Sequence, residues 1–231
     1  MNLELQRLHH LTREYFRDSQ ITFEPKESGA QLGCIVVVNG VKYHVKSHAY
    51  GYMFSQFSRG WIPREPEPLE ILLYRAFEYA GIGPEVHIFE GRKKVDTFIC
   101  TRHTSTIESI EGYPSKIMLV HLLQQIFGLT DFITNVDNYC ISNHELMIFD
   151  FRIDERLTRV SLNYILEPNK PFYKYGRYLP EYISNIVYTT PKREYLDENA
   201  PILRKLYEYL RDKQFPKKNV VFANLNELLI D

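Results

Sequence analysis

Between Val38 and Val41 the chain carries the dipeptide Asn39-Gly40, flanked by Cys34-Ile-Val-Val-Val38 and by Val41-Lys-Tyr-His-Val-Lys46. Asn-Gly between two β-prone runs is the strongest short-range hairpin signal, because both residues tolerate the positive φ that a two-residue turn of matching twist requires. Val41, Tyr43 and Val45 alternate with Lys42, His44 and Lys46, so one face of the second strand is apolar. This pair anchors the reading of the neighbouring sequence.

Upstream, Ile21-Thr-Phe reads as a further strand and Glu27-Ser-Gly-Ala-Gln-Leu-Gly33 as a turn, while Leu3, Leu5, Leu8, Leu11, Tyr15 and Phe16 form a loose helical stripe over residues 2–18. Downstream, residues 47–66 read as loop, with Gly51, Gly60, Pro63 and Pro66. Leu69, Leu72, Leu73, Ala76, Phe77 and Ala80 then recur at helical spacing, which predicts a core-facing helix over 67–80 stopped by Gly81 and followed by Pro84. Val86-His-Ile-Phe89 and Val95-Asp-Thr-Phe-Ile-Cys100 add two strands around the turn Glu90-Gly91-Arg92.

From residue 115 the character changes. Residues 115–127 are apolar nearly all round and stop at Gly128, as a buried helix does. A polar loop from Thr130 to Asn138 follows. Two short strands come next, Tyr139-Cys-Ile141 and Leu146-Met-Ile-Phe149, joined by Ser142-Asn-His-Glu145, and helices are expected near 180–187 and 198–212. The expectation is an α+β chain. Residues 1–103 form a five-stranded antiparallel sheet with one helix of its own behind the N-terminal one, a hinge falls near 101–104, and residues 104–231 are mainly helical.

Composition excludes several classes. Lys+Arg is 28 against Asp+Glu 29, a net charge of −1, so no basic field exists to attract nucleic acid, and Arg92-Lys93-Lys94 and Lys217-Lys218 are short enough to be solvated loops. Cys34, Cys100 and Cys140 stand far apart with no CxxC pair, which argues against a cysteine zinc site or a disulfide framework and for reduced thiols in a cytoplasmic protein. Charge interrupts every apolar run near the N-terminus, so no signal peptide is expected, and no stretch approaches the ~18–20 apolar residues of a membrane span.

The element order resembles the protein-kinase-like fold: three strands, a helix, two strands, a hinge, a buried helix, a polar loop, a short hairpin, then Asp-Phe. The stretch Gly81-Ile-Gly-Pro-Glu-Val-His-Ile-Phe-Glu-Gly-Arg92, with Phe98-Ile-Cys-Thr-Arg102, is similar to the segment between regulatory helix and hinge in choline kinases. Leu146-Met-Ile-Phe-Asp-Phe151 is similar to the segment that supplies a metal-binding Asp there. The resemblance, to the compact type of choline kinases and aminoglycoside phosphotransferases, covers roughly residues 20–152. It implies two lobes, an ATP and Mg²⁺ requirement, and an acceptor that is either a small hydroxylated metabolite or a protein.

The resemblance also assigns roles. Lys46, in His-Val-Lys-Ser, takes the place of the strand lysine that holds nucleotide phosphates, and Glu70, or Glu67 one turn earlier, that of the helix carboxylate that steadies it. Asp150, at the end of an apolar strand, is the expected metal-binding acid. Protein kinases place the catalytic Asp and a metal-binding Asn five positions apart. Here two registers compete: Asp131 as base with Asn138 as metal ligand seven positions later, or Asn135-Val-Asp137 with Asp137 as base and Ser142 at the metal position. The first keeps an Asn directly before the strand and is preferred.

Some residues depart from the pattern. Glu27 to Gly33 makes a poor glycine-rich lid, and Asp150-Phe151 is followed by Arg152 in place of Gly. A non-catalytic pseudokinase acting as an interaction module is therefore carried as the alternative. His44-x-x-x-His48 has zinc-like spacing but spans a strand end, where the two imidazoles are not expected on one face. Phe172-Tyr-Lys-Tyr-Gly-Arg-Tyr178 reads as aromatic loop packing or an acceptor-side wall, in preference to a stacking surface for bases or sugars.

Overall fold

The computed structural model describes residues 3–17, 19–26, 31–49, 51, 53–55, 60–62, 64–104, 108–132, 135–154, 157–159 and 192–229. Contacts divide the chain into two compact units, Met1–Glu78 with Pro84–Ser105 and Tyr79–Gly83 with Thr106–Asp231.

Unit 1 is built on an antiparallel sheet of five strands in the order β1-β2-β3-β7-β6: β1 (Ile21–Pro25), β2 (Gly33–Val38), β3 (Val41–Ser47), β6 (Val86–Glu90) and β7 (Thr97–Arg102). Asn39 (φ 49) and Gly40 (φ 84) both take positive φ, the backbone of a type I′ hairpin turn. Register sorts the side chains. Ile35, His44 and Thr101 are cross-strand neighbours, as are Gly33, Lys46 and Ile99, so these residues share one face. The opposite face holds Cys34, Val36, Tyr43, Val45, Phe98 and Cys100 in a core with Leu8, against which Leu5 and Leu11 pack. The N-terminal helix α1 (Leu3–Tyr15) thus closes that face, and Arg7 of α1 pairs with buried Asp96 at 2.8 Å.

Three local expectations change. The segment after Ser47 contains a short hairpin, β4 (Met53–Ser55) with β5 (Gly60–Ile62), where loop is the sequence reading. β7 starts at Thr97, two residues later than expected, because Lys94–Asp96 form a 3₁₀ turn with the Thr97 hydroxyl donating to the Lys94 carbonyl at 2.8 Å. β7 also runs on to Arg102, into the span expected as a hinge, because Thr101 and Arg102 keep their partners His44 and Tyr43. Helix α2 (Pro68–Ala80) buries Leu69, Leu73, Ala76 and Phe77 as its stripe predicts.

In unit 2, α3 (Pro114–Phe127) is buried on almost every side and ends at Gly128 in the left-handed region (φ 64). It packs against α4 (Lys192–Arg211) and α5 (Lys218–Leu229). Asn224 of α5 donates to the Ile126 carbonyl at 3.2 Å. Helix α4 begins six residues before the expected 198, and Pro201 lies inside it, not at its start. There Asn199 donates to the carbonyls of Tyr195 and Ser115 at 2.7 and 2.9 Å, tying the extra turns to α3. Helix α5 had no counterpart in the sequence reading. Two short antiparallel pairs complete the unit: β9 (Tyr139–Ser142) with β10 (Glu145–Ile148), and β8 (Leu129–Thr130) with β11 (Arg152–Ile153). The helix expected near 180–187 and the aromatic run 172–178 lie outside the described residues, as does most of the lid segment, 27–30. Among the described residues no helix is long and apolar enough to cross a membrane.

Candidate functional site

Lys46 is the sixth residue of β3 and is only 9% exposed. Burying an ammonium group is costly unless something compensates. Its Nζ lies 5.5 Å from the centroid of the Tyr74 ring on α2, within cation–π range. One turn earlier on α2, Glu70 is 1% exposed, and its Oε1 accepts from the Ala49 backbone N–H at 2.7 Å. Glu70 and Tyr74 are four apart and share a helix face, so α2 turns a carboxylate and an aromatic ring toward the end of β3. Glu67 stands just before α2, and its carbonyl accepts from Glu70 and Ile71.

In unit 2 the candidates sit on loops. Asp131 follows β8 with φ 53, a conformation a short polar side chain tolerates. Its exposed carboxylate is 3.8 Å from the Arg152 guanidinium. Asn138 is 8% exposed and ties three segments together. Its Nδ2 donates to the Asp131 carbonyl, and its own carbonyl accepts from the Phe149 and Asp150 N–H groups at 2.9 and 3.3 Å. Asp150 Oδ1 accepts from the Phe151 N–H at 2.9 Å, and Phe151 is fully buried. Asp131, Asn138 and Asp150 are thus brought together through Asn138. Asp137 is exposed on the 3₁₀ turn Val136–Asn138, whose cap is the Asn135 side chain accepting from the Asp137 N–H at 3.4 Å. Ser142 is buried at the end of β9, opposite Glu145.

Histidines and cysteines resolve differently from one another. His44 Nε2 lies 2.9 Å from His103 Nδ1, and both residues keep solvent access. Partial burial, then the charges of His103, Lys46, Lys26 and Lys42, hold His44 below the ordinary imidazole range. His48 is fully buried, its Nε2 facing the Arg64 carbonyl at 3.1 Å, and burial pulls its pKa to about 4. Since a carbonyl only accepts, Nε2 carries the proton. His44 and His48 therefore face different surroundings, and among the described residues no group of three His, Cys, Asp or Glu could hold a metal. All three cysteines are free and buried; burial pushes Cys34 up to about 12 and Cys140 to about 11, and raises Cys100 as well, so none is poised as a nucleophile.

Two site features escape the sequence reading. Tyr74 was legible in part, since it lies one turn after Glu70 on the same stripe edge. His103 was not, because nothing in the spacing links it to His44.

No protein-family model matches the chain, and no curated protein matches it. Among solved structures it is similar to a MAP kinase from Leishmania major, at 12% identity and a TM-score of 0.36, over 97% of this chain and 81% of that one.

Proposed function

We propose that the protein is a small atypical kinase of the protein-kinase-like fold, nearest in motif to the compact choline-kinase type, which transfers the γ-phosphate of ATP to a hydroxyl acceptor. The observation that carries this reading is that Asn138 is tied to Asp131 through its side-chain amide and to Phe149 and Asp150 through its backbone carbonyl. Phosphoryl transfer asks little covalent chemistry of a protein and much positioning, and a loop Asp, a loop Asn and the Asp of Asp-Phe are the parts it positions.

Asp131 would accept the proton of the acceptor hydroxyl as that oxygen bonds to the γ-phosphorus. The bond from γ-phosphorus to the bridging oxygen breaks, and its electron pair leaves on ADP. Asn138 and Asp150 supply hard oxygen donors, a carboxamide and a carboxylate, of the kind that hold Mg²⁺ together with phosphates and water. When bound, Mg²⁺ would neutralise charge on the transferring phosphates. Lys46, with its ammonium against the Tyr74 ring of α2 and Glu70 one turn away on the same helix face, would take the non-transferred phosphates.

Arg152 favours the second reading, a non-catalytic interaction module, since a guanidinium beside Asp131 weakens it as a base. At 3.8 Å, with both side chains partly exposed, such a pair is worth only about 0–1 kcal/mol, so the catalytic reading is kept.

The test is thermal melting with ATP, Mg²⁺, and both. A ligand at 100 times its Kd stabilises by about 2.7 kcal/mol. Stabilisation that needs both together, and that Asp150→Asn abolishes, is the expected result. No shift at millimolar ATP and Mg²⁺ would overturn the catalytic reading in favour of the module.

A further inference from the structure

A donor whose phosphates meet Lys46 has to lay the rest of itself along the same sheet face. Beyond the end of β3 the way is taken, since Tyr74 stands against Lys46 and Glu70 holds the Ala49 N–H. In the other direction the next side chain on that face is His44, roughly 6.5–7 Å along the strand. Its cross-strand neighbours are Ile35 on β2 and Thr101 on β7, with Ile35 half-buried. A flat nucleobase would need this strip.

The strip already carries a bridge. His44 Nε2 and His103 Nδ1 are 2.9 Å apart, one donating and the other accepting. Their ring centroids are 5.1 Å apart with the planes inclined by 40°. The His103 backbone is fixed as well, its N–H donating to the Lys42 carbonyl at 2.9 Å. The bridge therefore runs from the middle of β3 to the end of β7, across the surface a base would cover. A base laid flat on this strip would meet the bridged imidazoles and have to displace their hydrogen bond to reach the sheet beneath, whereas a phosphate chain at Lys46 leaves it intact.

We infer that the His44–His103 bridge makes the phosphates, and not the base, the recognised part of the donor, so that the site takes triphosphates with little base selectivity. This rests on the proposed role of Lys46 as the phosphate contact. The bridge also holds down nucleotide affinity, by about the 3- to 10-fold that one neutral hydrogen bond is worth.

The experiment is calorimetric titration of the full chain with ATP, GTP and inorganic tripolyphosphate, each with Mg²⁺, for the wild type, His44→Ala, His103→Ala and Lys46→Ala. The wild type is expected to bind all three within about 3-fold of one another. Either histidine variant tightens ATP about 3- to 10-fold and leaves tripolyphosphate unchanged, and Lys46→Ala weakens all three. Two histidine positions guard against one substitution disturbing the sheet, and the melting temperature of each variant reports its folding. The inference is overturned if the wild type prefers ATP over tripolyphosphate by more than about tenfold and His44→Ala removes that preference, since His44 would then contact the base. It is equally overturned if neither histidine variant changes ATP affinity. In both of these cases tripolyphosphate still binds through Lys46 and the proposed function stands. If no triphosphate binds any variant, or Lys46→Ala matches the wild type, the Lys46 assignment itself fails and the inference with it.

Discussion

Unit 1 holds its candidate residues on regular elements, whereas unit 2 holds them on loops. Lys46 points where it does because β3 alternates, and Glu70 and Tyr74 because α2 repeats every 3.6 residues. Asp131, Asn138 and Asp150 have no such period; their positions depend on one buried carboxamide and on the short pairing of β8 with β11. A site on a strand and a helix inherits the rigidity of its ladder. A site on a loop is only as rigid as the few side chain–backbone bonds that close it, so it is the more sensitive to single substitutions.

The largest effect expected belongs to the loop. Asp131→Asn should lower ADP formation from ATP by about 10²–10⁴-fold, the usual contribution of a general base, while Asp137→Asn, on the exposed turn, costs far less. Assaying both variants decides the register, and a dead Asp137→Asn beside an active Asp131→Asn would transfer the role to Asp137.

A smaller effect probes unit 1 through pH. His48 is neutral in the fold with a pKa of about 4, against an ordinary 6.5 when unfolded. The unfolded chain therefore takes up the proton first. Stability is complete above about pH 6.5 and declines as pH falls toward 4, by about 3 kcal/mol in all. Chemical denaturation across that range should show the decline in the wild type and a flatter limb in His48→Gln. Equal slopes would assign the acid sensitivity to other groups.

Lys46→Ala tests the strand half directly. Losing a charge-assisted contact should weaken Mg²⁺-ATP binding by about 1.5–3 kcal/mol, read by calorimetry, without the loss of turnover chemistry that marks the loop. Unchanged affinity would remove Lys46 from the site.

The smallest pair compares a turn in each unit. Gly40 (φ 84) has open space where a Cβ would go, while at Gly128 (φ 64) a Cβ would lie 3.1 Å from Leu157 Cδ1. Gly40→Ala is expected to cost about 1 kcal/mol, the left-handed strain alone, and Gly128→Ala more, since Leu157 must also give way. Urea melts that rank them in reverse would place the tighter constraint in the hairpin.

The legible features are those with local rules behind them. The Asn39-Gly40 turn, the alternation of β3 and the apolar stripe of α2 follow from backbone sterics and periodic burial, and so does the order of the longer elements through Phe151, though not the short β4–β5 hairpin or β8. The resemblance could assign Lys46 and Glu70 because they stand at countable positions on regular elements. In the loop, residue types alone left Asp131 and Asp137 in competition, because capping bonds, unlike strand or helix periods, leave no spacing to read. The extra length of β7 and the early start of α4 likewise depend on partners elsewhere: His44 and Tyr43 for the strand, Ser115 for the helix.

What the sequence determined by itself, then, is the strands and helices with a strong local period, β2, β3, α2 and α3 above all, and which charged residues lie on their faces, since each depends on neighbours within a few positions; the β4–β5 hairpin and α5 are not among them. The tertiary structure alone decided which of those faces meet. It set Tyr74 over Lys46, closed Asn138 onto the Asp131 carbonyl, and joined His44 to His103 across 59 residues of chain. The physical reason is that such partnerships depend on strand register and on where distant segments pack, and burial enforces them only after the chain has folded.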